Sequence, residues 1–471
     1  MSIDDAPSPI LAAPPARPSE PTAVLVHRPG RWIDQWDAED TTQWNSIGRF
    51  IAKRNLQWSI ACEFLGFVVW QLWSVVVVYL PAAGFTFSTS QIFWLISMPS
   101  LVGATLRIPY TFMVPKLGGR NWTIISALLL LIPTIGLALC VSNPETPFSV
   151  LLAVAALAGF GGGNFASSMA NITFFYPARE KGWALGLNAA GGNLGAAVAQ
   201  LVVPIAVALG AAATLNLPLA GWIWVPLILA AAFGAWKYMD NLSSAKTDLA
   251  GSLAAVREPH LWVMALLYIG TFGSFIGFAG VFPKLIVDSF PAFSTIAMGP
   301  ATLSLAFLGP LVGSLARPFG GRLADRFGGA LITVAAFAVM AAVALTVVWT
   351  LPLANFWLFL GLFLVLFTAA GAGNGATYRM IPVIFARRGA AAGSSEVRES
   401  VSTARKSAAA LGLISAIGAY GGFLIPQVLN ASKGATGSYD GAFYGFVCGY
   451  VLMLAVTWFF YLRRSSTLGK V

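Results

Sequence analysis

The chain is dominated by apolar runs of about twenty residues or more, long enough for a helix to cross a bilayer core of roughly 30 Å. Within that core no water satisfies backbone N–H and C=O groups, so open sheets and lipid-exposed loops are excluded and helices are expected. Of the 471 residues, 57% are apolar and 10% charged, against about 25% charged in a soluble domain. Breaks at charges, prolines and polar clusters predict spans near 57–80, 91–114, 122–142, 149–176, 183–210 and 221–239, then 261–287, 296–318, 329–351, 355–385, 406–429 and 441–462. The expected fold is an all-α membrane protein of twelve transmembrane helices in two pseudo-symmetric six-helix halves. Residues 1–50 read as a polar cytoplasmic tail, 51–239 and 261–463 as the two bundles, 240–260 as a cytoplasmic linker and 464–471 as a second cytoplasmic tail.

Orientation follows from the basic residues, which concentrate on the cytoplasmic side of membrane proteins. Arg49, Lys53, Arg54, Lys116, Arg120, Arg179, Lys181, Lys237, Lys246 and Arg257 fall in the termini or even-numbered loops, as do Arg322, Arg326, Arg387, Arg388, Arg398, Arg405, Lys406, Arg463 and Arg464. Lys284 and Lys433 are the exceptions. Both termini are therefore expected inside the cell, and the net charge of +10 reflects topology and not nucleic-acid binding. The first residues lack the basic start, apolar stretch and cleavage site of a signal peptide. Trp32, Trp36 and Trp44 in this tail suit the headgroup level of a membrane.

Enzymatic chemistry finds no purchase. Cys62, Cys140 and Cys448 lie in apolar runs without CxxC spacing, and His27 and His260 are far apart in sequence, so no metal or other cofactor is expected. There is no nucleotide loop, soluble domain or intramembrane catalytic pair. A carrier acting as a monomer in the lipid bilayer is the expected class.

The halves repeat one another. Arg107 precedes Gly118-Gly119 by eleven residues and Arg317 precedes Gly328-Gly329 by the same eleven; ALGLNAAGGNLG from Ala184 parallels ALGLISAIGAYG from Ala410. Such repeats place a substrate site at their interface. Arg107 and Arg317 lie inside their spans, where an unpaired guanidinium costs several kcal/mol and does not lose its proton. No acid lies at matching depth in either helix; Glu63, early in the first span, is the nearest and is expected to stay hydrated and structural. The missing counter-charge then reads as the substrate, a planar monoanion whose oxygens match forked donors. The alternative, in which each arginine bonds backbone carbonyls or snorkels to water, stays open. Gly161, Gly162 and Gly163 in one segment, and Gly371, Gly373 and Gly375 in another, allow close helix approach, and the embedded Asn164, Asn193 and Asn374 offer uncharged donors.

The loop GGRLADRFGG, from Gly320 to Gly329, resembles the signature between helices 8 and 9 of the major facilitator superfamily, which implies a gating role for Arg322 and Asp325. GFGGGNFASSMANITFFYP and GAGNGATYRMIP resemble the paired signatures of the nitrate/nitrite porter family, the NarK type, within that superfamily. Similarity runs from RNLQWSIACEF near Arg54 to ALGLISAIGAYGGF, nearly the whole chain except the tail. The resemblance implies Arg107 and Arg317 as the anion clamp, Phe165 and Phe272 as stacking aromatics, Tyr268 and Asn193 as polar ligands, and the signature glycines as hinges. It implies nitrate and nitrite as substrates, exchanged across the inner membrane, with proton-linked nitrate import as the alternative that Glu63 keeps open. Arg379 has two readings: a third positive group beside the pathway, or a residue at its cytoplasmic end.

Overall fold

Helices form in all twelve expected spans of the computed structural model, which describes residues 25, 27–208, 215–245, 255–298, 301–391 and 410–463. The span expected at 296–318, however, opens with two short antiparallel strands, Ile296–Met298 and Ala301–Leu303, and its α-helix starts only at Leu308. The first half holds α1 (Thr41–Val76), α2 (Thr89–Leu117), α3 (Gly119–Cys140), α4 (Phe148–Phe175), α5 (Ala178–Ala208) and α6 (Leu219–Tyr238). The second holds α7 (Pro259–Ser289), α8 (Leu308–Phe327), α9 (Gly329–Leu353), α10 (Phe356–Arg387), α11 (Ala410–Thr436) and α12 (Asp440–Leu462). Eleven of these are long and apolar enough to cross a membrane. The twelfth, α8, has the length at 20 residues but carries Arg317, Arg322, Asp325 and Arg326. Residues 1–24 and 464–471, and Lys246, Arg398, Arg405, Lys406 and Arg464 from the orientation argument, lie outside the described residues.

Local chemistry sets the ends. Asp40 caps α1 by accepting from the Thr42 and Gln43 amides, and Ser88 with Gln91 forms a capping box at the start of α2. The turn after α2 needs Gly118 at φ 92°, and the turn after α8 needs Gly328 at φ 93°, a region that L side chains avoid. The repeat read in the sequence is thus a repeat of backbone geometry.

One boundary differs with consequence. The first span was expected from residue 57, because Arg49, Lys53 and Arg54 read as its end, yet the helix starts at Thr41 and runs 36 residues. The charges sit on its outer turns, where Arg54 finds a carboxylate. Glu63 consequently lies well within α1 and is 1% exposed, which overturns its expected hydration.

In each half the arginine-bearing helix packs along the glycine-rich one, α2 on α4 and α8 on α10. Hydrogen bonds that join the halves include Gln427 to Ser97 at 2.7 Å, Asn430 to Ser90 at 3.2 Å and Gln200 to the Ala279 carbonyl at 2.6 Å. These three lie between the arginines and the face opposite the chain termini.

The tail and the linker meet. Strands β1 (His27–Arg28), β2 (Trp32–Ile33) and β3 (Asn241–Leu242) form one small sheet, β1 antiparallel and β3 parallel to β2. At its heart Asp240 is fully buried, holding Arg31 at 2.8 Å and Arg54 at 2.7 Å and accepting from Asn55 at 2.9 Å. Trp36 donates to the Phe174 carbonyl and Trp44 to Glu180, each at 3.1 Å. With exposures of 8% and 1%, Trp36 and Trp44 are packed in protein and not at the headgroups, because each indole N–H finds an acceptor at the α4–α5 junction. Removing the charge at Asp240 strands two guanidiniums that are only partly exposed. Asp240→Asn is expected to destabilise the protein by roughly 2–3 kcal/mol, read as a lower melting temperature in detergent and faster proteolysis in the segment before α1. An unchanged melting curve would contradict the role given to this cluster.

Candidate functional site

Five of the residues singled out in the sequence converge on one place. Arg107 of α2 is fully buried; its Nε donates to the Gly162 carbonyl at 3.1 Å and its Nη1 to the Ser415 carbonyl at 2.9 Å. Arg317 of α8 is 4% exposed, and its Nη2 makes only a long 3.5 Å contact with the Tyr268 hydroxyl. Each guanidinium keeps a buried nitrogen without a protein acceptor, Nη2 of Arg107 and Nη1 of Arg317. Among the described residues neither arginine belongs to an ion pair.

Aromatic faces fill the space around them. Phe165 stacks on Phe272 with centroids 6.0 Å apart and planes at 26°, and Tyr268 stacks on Phe272 at 5.4 Å and 20°. The Arg107 Cζ lies 4.5 Å from the Phe165 centroid, 4.9 Å from Phe272 and 5.4 Å from Trp70. Arg317 lies 5.7 Å from Phe165 and 5.4 Å from Tyr378. Phe165 therefore bridges the halves, touching both cations. Each ring face offsets about 0.5–2 kcal/mol of a guanidinium's desolvation, too little to replace a counter-ion and too diffuse to satisfy the bare N–H groups.

Backbone features serve this cluster. A π-helical turn spans Ile269–Gly273 in α7, a deviation that re-aims side chains at sites of this kind, and it carries Phe272. A Cβ on Gly375 would fall 2.1 Å from the Arg317 carbonyl, and one on Gly162 would fall 2.6 Å from the Trp70 ring. Bare glycine is what lets α10 and α4 lie against the arginine-bearing helices. Gly163 and Gly371 sit at these contacts, against Tyr110 and Gly313, whereas Gly161 faces Gly66 of α1 and Gly373 faces Thr271 of α7 and Ala336 of α9.

The three asparagines are buried with polar atoms unsatisfied: both ends of Asn164 and of Asn374, and Oδ1 of Asn193. Among the described residues no hydrogen bond joins them to either arginine. Asp325 and Arg322 lie apart from the cluster, toward the end of α8 on the face of the termini. Asp325 pairs with Arg379, both about half exposed at 54% and 52%, and Arg322 lies 5.8 Å over Phe319. Arg379 thus pairs with Asp325 near the helix ends and does not join Arg107 and Arg317.

Sequence reasoning missed two neighbours and misplaced a third. Trp70 was hidden in an apolar run. Tyr378 stood within a quoted signature without being picked out. Glu63 was found but misplaced in depth. Nothing in the sequence around Arg107 signalled that one of its two acceptors would be the Ser415 carbonyl of α11.

The family model of the Major Facilitator Superfamily matches residues 62–426. The chain is 42% identical over 453 residues to the nitrate/nitrite transporter NarU of Escherichia coli (strain K12), covering 92% of this chain and 96% of that one. It is 37% identical over 463 residues to the probable nitrate/nitrite antiporter NarK2 of Thermus thermophilus, covering 94% and 99%. Among solved structures, the nucleoside transporter NupG superposes with a TM-score of 0.59 at 11% identity, covering 86% of this chain and 98% of that one. A bacterial homolog of the human lysosomal transporter Spinster superposes at 0.58 with 16% identity, covering 86% and 95%; these two share the fold alone. The chain belongs to the major facilitator superfamily and, within it, to the NarK type of nitrate/nitrite transporters.

Proposed function

We propose that the protein exchanges nitrate for nitrite across the cytoplasmic membrane by alternating access, with the anion held between Arg107 and Arg317. The observation that carries this reading is a pair of buried guanidiniums, each with a bare N–H, that share an aromatic ring and have no carboxylate in an ion pair. The names of its relatives, a nitrate/nitrite transporter and a probable nitrate/nitrite antiporter, point the same way. The face of the termini is taken as cytoplasmic because it gathers the basic residues. The signature glycines are taken as hinges, and the Asp325–Arg379 pair as a brace of that face. The two six-helix units, with 1–50 and 240–260 as their cytoplasmic attachments, act as one monomeric carrier.

Nitrate is flat, singly charged and weakly hydrated. It lies edge-on to the guanidinium forks while Phe165 and Phe272 flank it, and Asn164, Asn193 and Asn374 supply uncharged contacts as the helices shift. A tetrahedral dianion fits that slot poorly and gives up water at greater cost. Nitrite keeps the charge and two of the oxygens, so discrimination between the two is small, as an exchanger requires. Without an anion, two guanidiniums face at most one carboxylate, and closing that net positive site away from water is unfavourable. Reorientation therefore proceeds with anion bound.

Replacing Arg107 or Arg317 by Lys keeps the charge and loses the planar fork. Each substitution is expected to lower nitrate uptake at least about tenfold, the equivalent of one charge-assisted hydrogen bond, with normal membrane insertion. Near-normal uptake by inserted Lys variants would refute the clamp. In proteoliposomes, nitrate uptake is expected to require internal nitrite or nitrate and to persist when the proton gradient is collapsed. Rapid uptake into liposomes without internal anion would show that the empty carrier reorients freely.

A further inference from the structure

Glu63 is a buried carboxylate that the anion clamp does not use. It belongs to no ion pair within 4.0 Å among the described residues. Its Oε2 accepts from Asn188 at 2.7 Å, whereas its buried Oε1 has no hydrogen-bond partner. A Cβ on Gly192 would stand 2.4 Å from that oxygen, so the α5 backbone closes directly over the carboxylate. Beside it is a cavity of about 10 Å³ whose walls include Ser59, Cys62, Asn164 and Ser168, close to the smallest that holds a water. Ser168 takes the Asn188 amide at 2.6 Å and meets Ser59 at 2.8 Å. This polar row runs from Glu63 toward the outer turns of α1 on the face of the termini.

The carboxylate also borders the clamp. Phe67, one helical turn beyond Glu63, packs edge-on against Phe165 at 6.2 Å. Asn164, in the cavity wall, precedes Phe165, and Asn193 follows Gly192. The charged groups whose fields reach Glu63 are Arg317 and Arg107; its titratable neighbours are Tyr378 and the Cys62 thiol. From α4 and α5, packed directly against α1, the facing groups are the neutral Asn164, Ser168 and Asn188.

We propose that Glu63 is a proton-binding site coupled to the anion site, taking up one proton when a monoanion seats between Arg107 and Arg317. The inference rests on the anion reading above. With the clamp free, burial opposes the ionised form of the carboxylate and the field of two guanidiniums favours it. A bound anion cancels part of that field and adds a like charge in a low-dielectric interior, so ionised Glu63 and anion oppose one another. Protonation removes the repulsion and turns one carboxylate oxygen into a hydrogen-bond donor. Coupling of this kind is reciprocal: protonated Glu63 binds anion more tightly by the same factor by which anion favours its protonation, typically 5–150-fold. A proton then accompanies each anion in both directions. Exchange is neutral in protons, while any net anion flux carries one.

The test is nitrate binding by calorimetry on the full-length protein in nanodiscs, in two buffers of different ionisation enthalpy and over a series of pH values. Wild type is expected to take up close to one proton per nitrate at a pH where Glu63 is ionised in the free protein, and to bind nitrate roughly tenfold more tightly at low pH than at high pH. Glu63→Gln is expected to bind nitrate with no proton uptake and no pH dependence, and Glu63→Asp to retain both. Nitrate binding by wild type without proton uptake at any pH would overturn the coupling and leave the clamp intact. Absence of nitrate binding by wild type at every pH would overturn the clamp and the coupling together.

Discussion

Two positive charges that cannot be discharged, buried where water does not reach, are the constraint on which the structure turns. Arginine keeps its proton under any accessible condition, so the fold must supply either a carboxylate or something equivalent. It supplies carbonyls to Arg107 from two other helices, a tyrosine hydroxyl at arm's length to Arg317, and aromatic faces to both. Each of these is partial. What is left over is one bare N–H on each guanidinium. Glu63 lies nearby without an ion pair to either arginine among the described residues.

The rest of the architecture makes that arrangement possible. Glycine-rich α4 and α10 lie backbone-to-backbone against α2 and α8 while also bringing Phe165 and Tyr378 to the arginines. The same turn, with a left-handed glycine eleven residues after each arginine, ends α2 and α8. Duplicating one packing solution thus produces two guanidiniums on opposite sides of an axis. The hydrogen bonds of Ser97, Ser90 and Gln200 tie the halves together on the face opposite the termini, and the Asp240 cluster ties the tail and linker to the first half on the other.

Much of this was legible in the sequence because membrane solvation leaves few choices. Helix number, the repeat and the burial of Arg107 and Arg317 within their spans all follow from hydrophobic length and from the placement of charge in the sequence. Resemblance added Phe165, Phe272 and Tyr268, which apolar composition by itself never separates from core. Depth was not legible. Arg49, Lys53 and Arg54 looked like the edge of a span, since pairing of Arg54 with Asp240, 186 residues away, leaves no local trace. That single misreading placed Glu63 at the hydrated edge of its span, whereas it is 1% exposed. The tail tryptophans misled for a similar reason: an indole suits a headgroup and a buried carbonyl equally well, and only the tertiary fold brings Phe174 and Glu180 within reach.

The central claim is that the substrate anion is the partner the two guanidiniums lack. A high-resolution structure of the nitrate-bound protein tests it most directly. The account predicts one anion between α2 and α8, flanked by Phe165 and Phe272, with oxygens at about 2.8 Å from Nη2 of Arg107 and Nη1 of Arg317. Nitrate bound elsewhere, with both of those nitrogens hydrogen-bonded to protein groups, would contradict it.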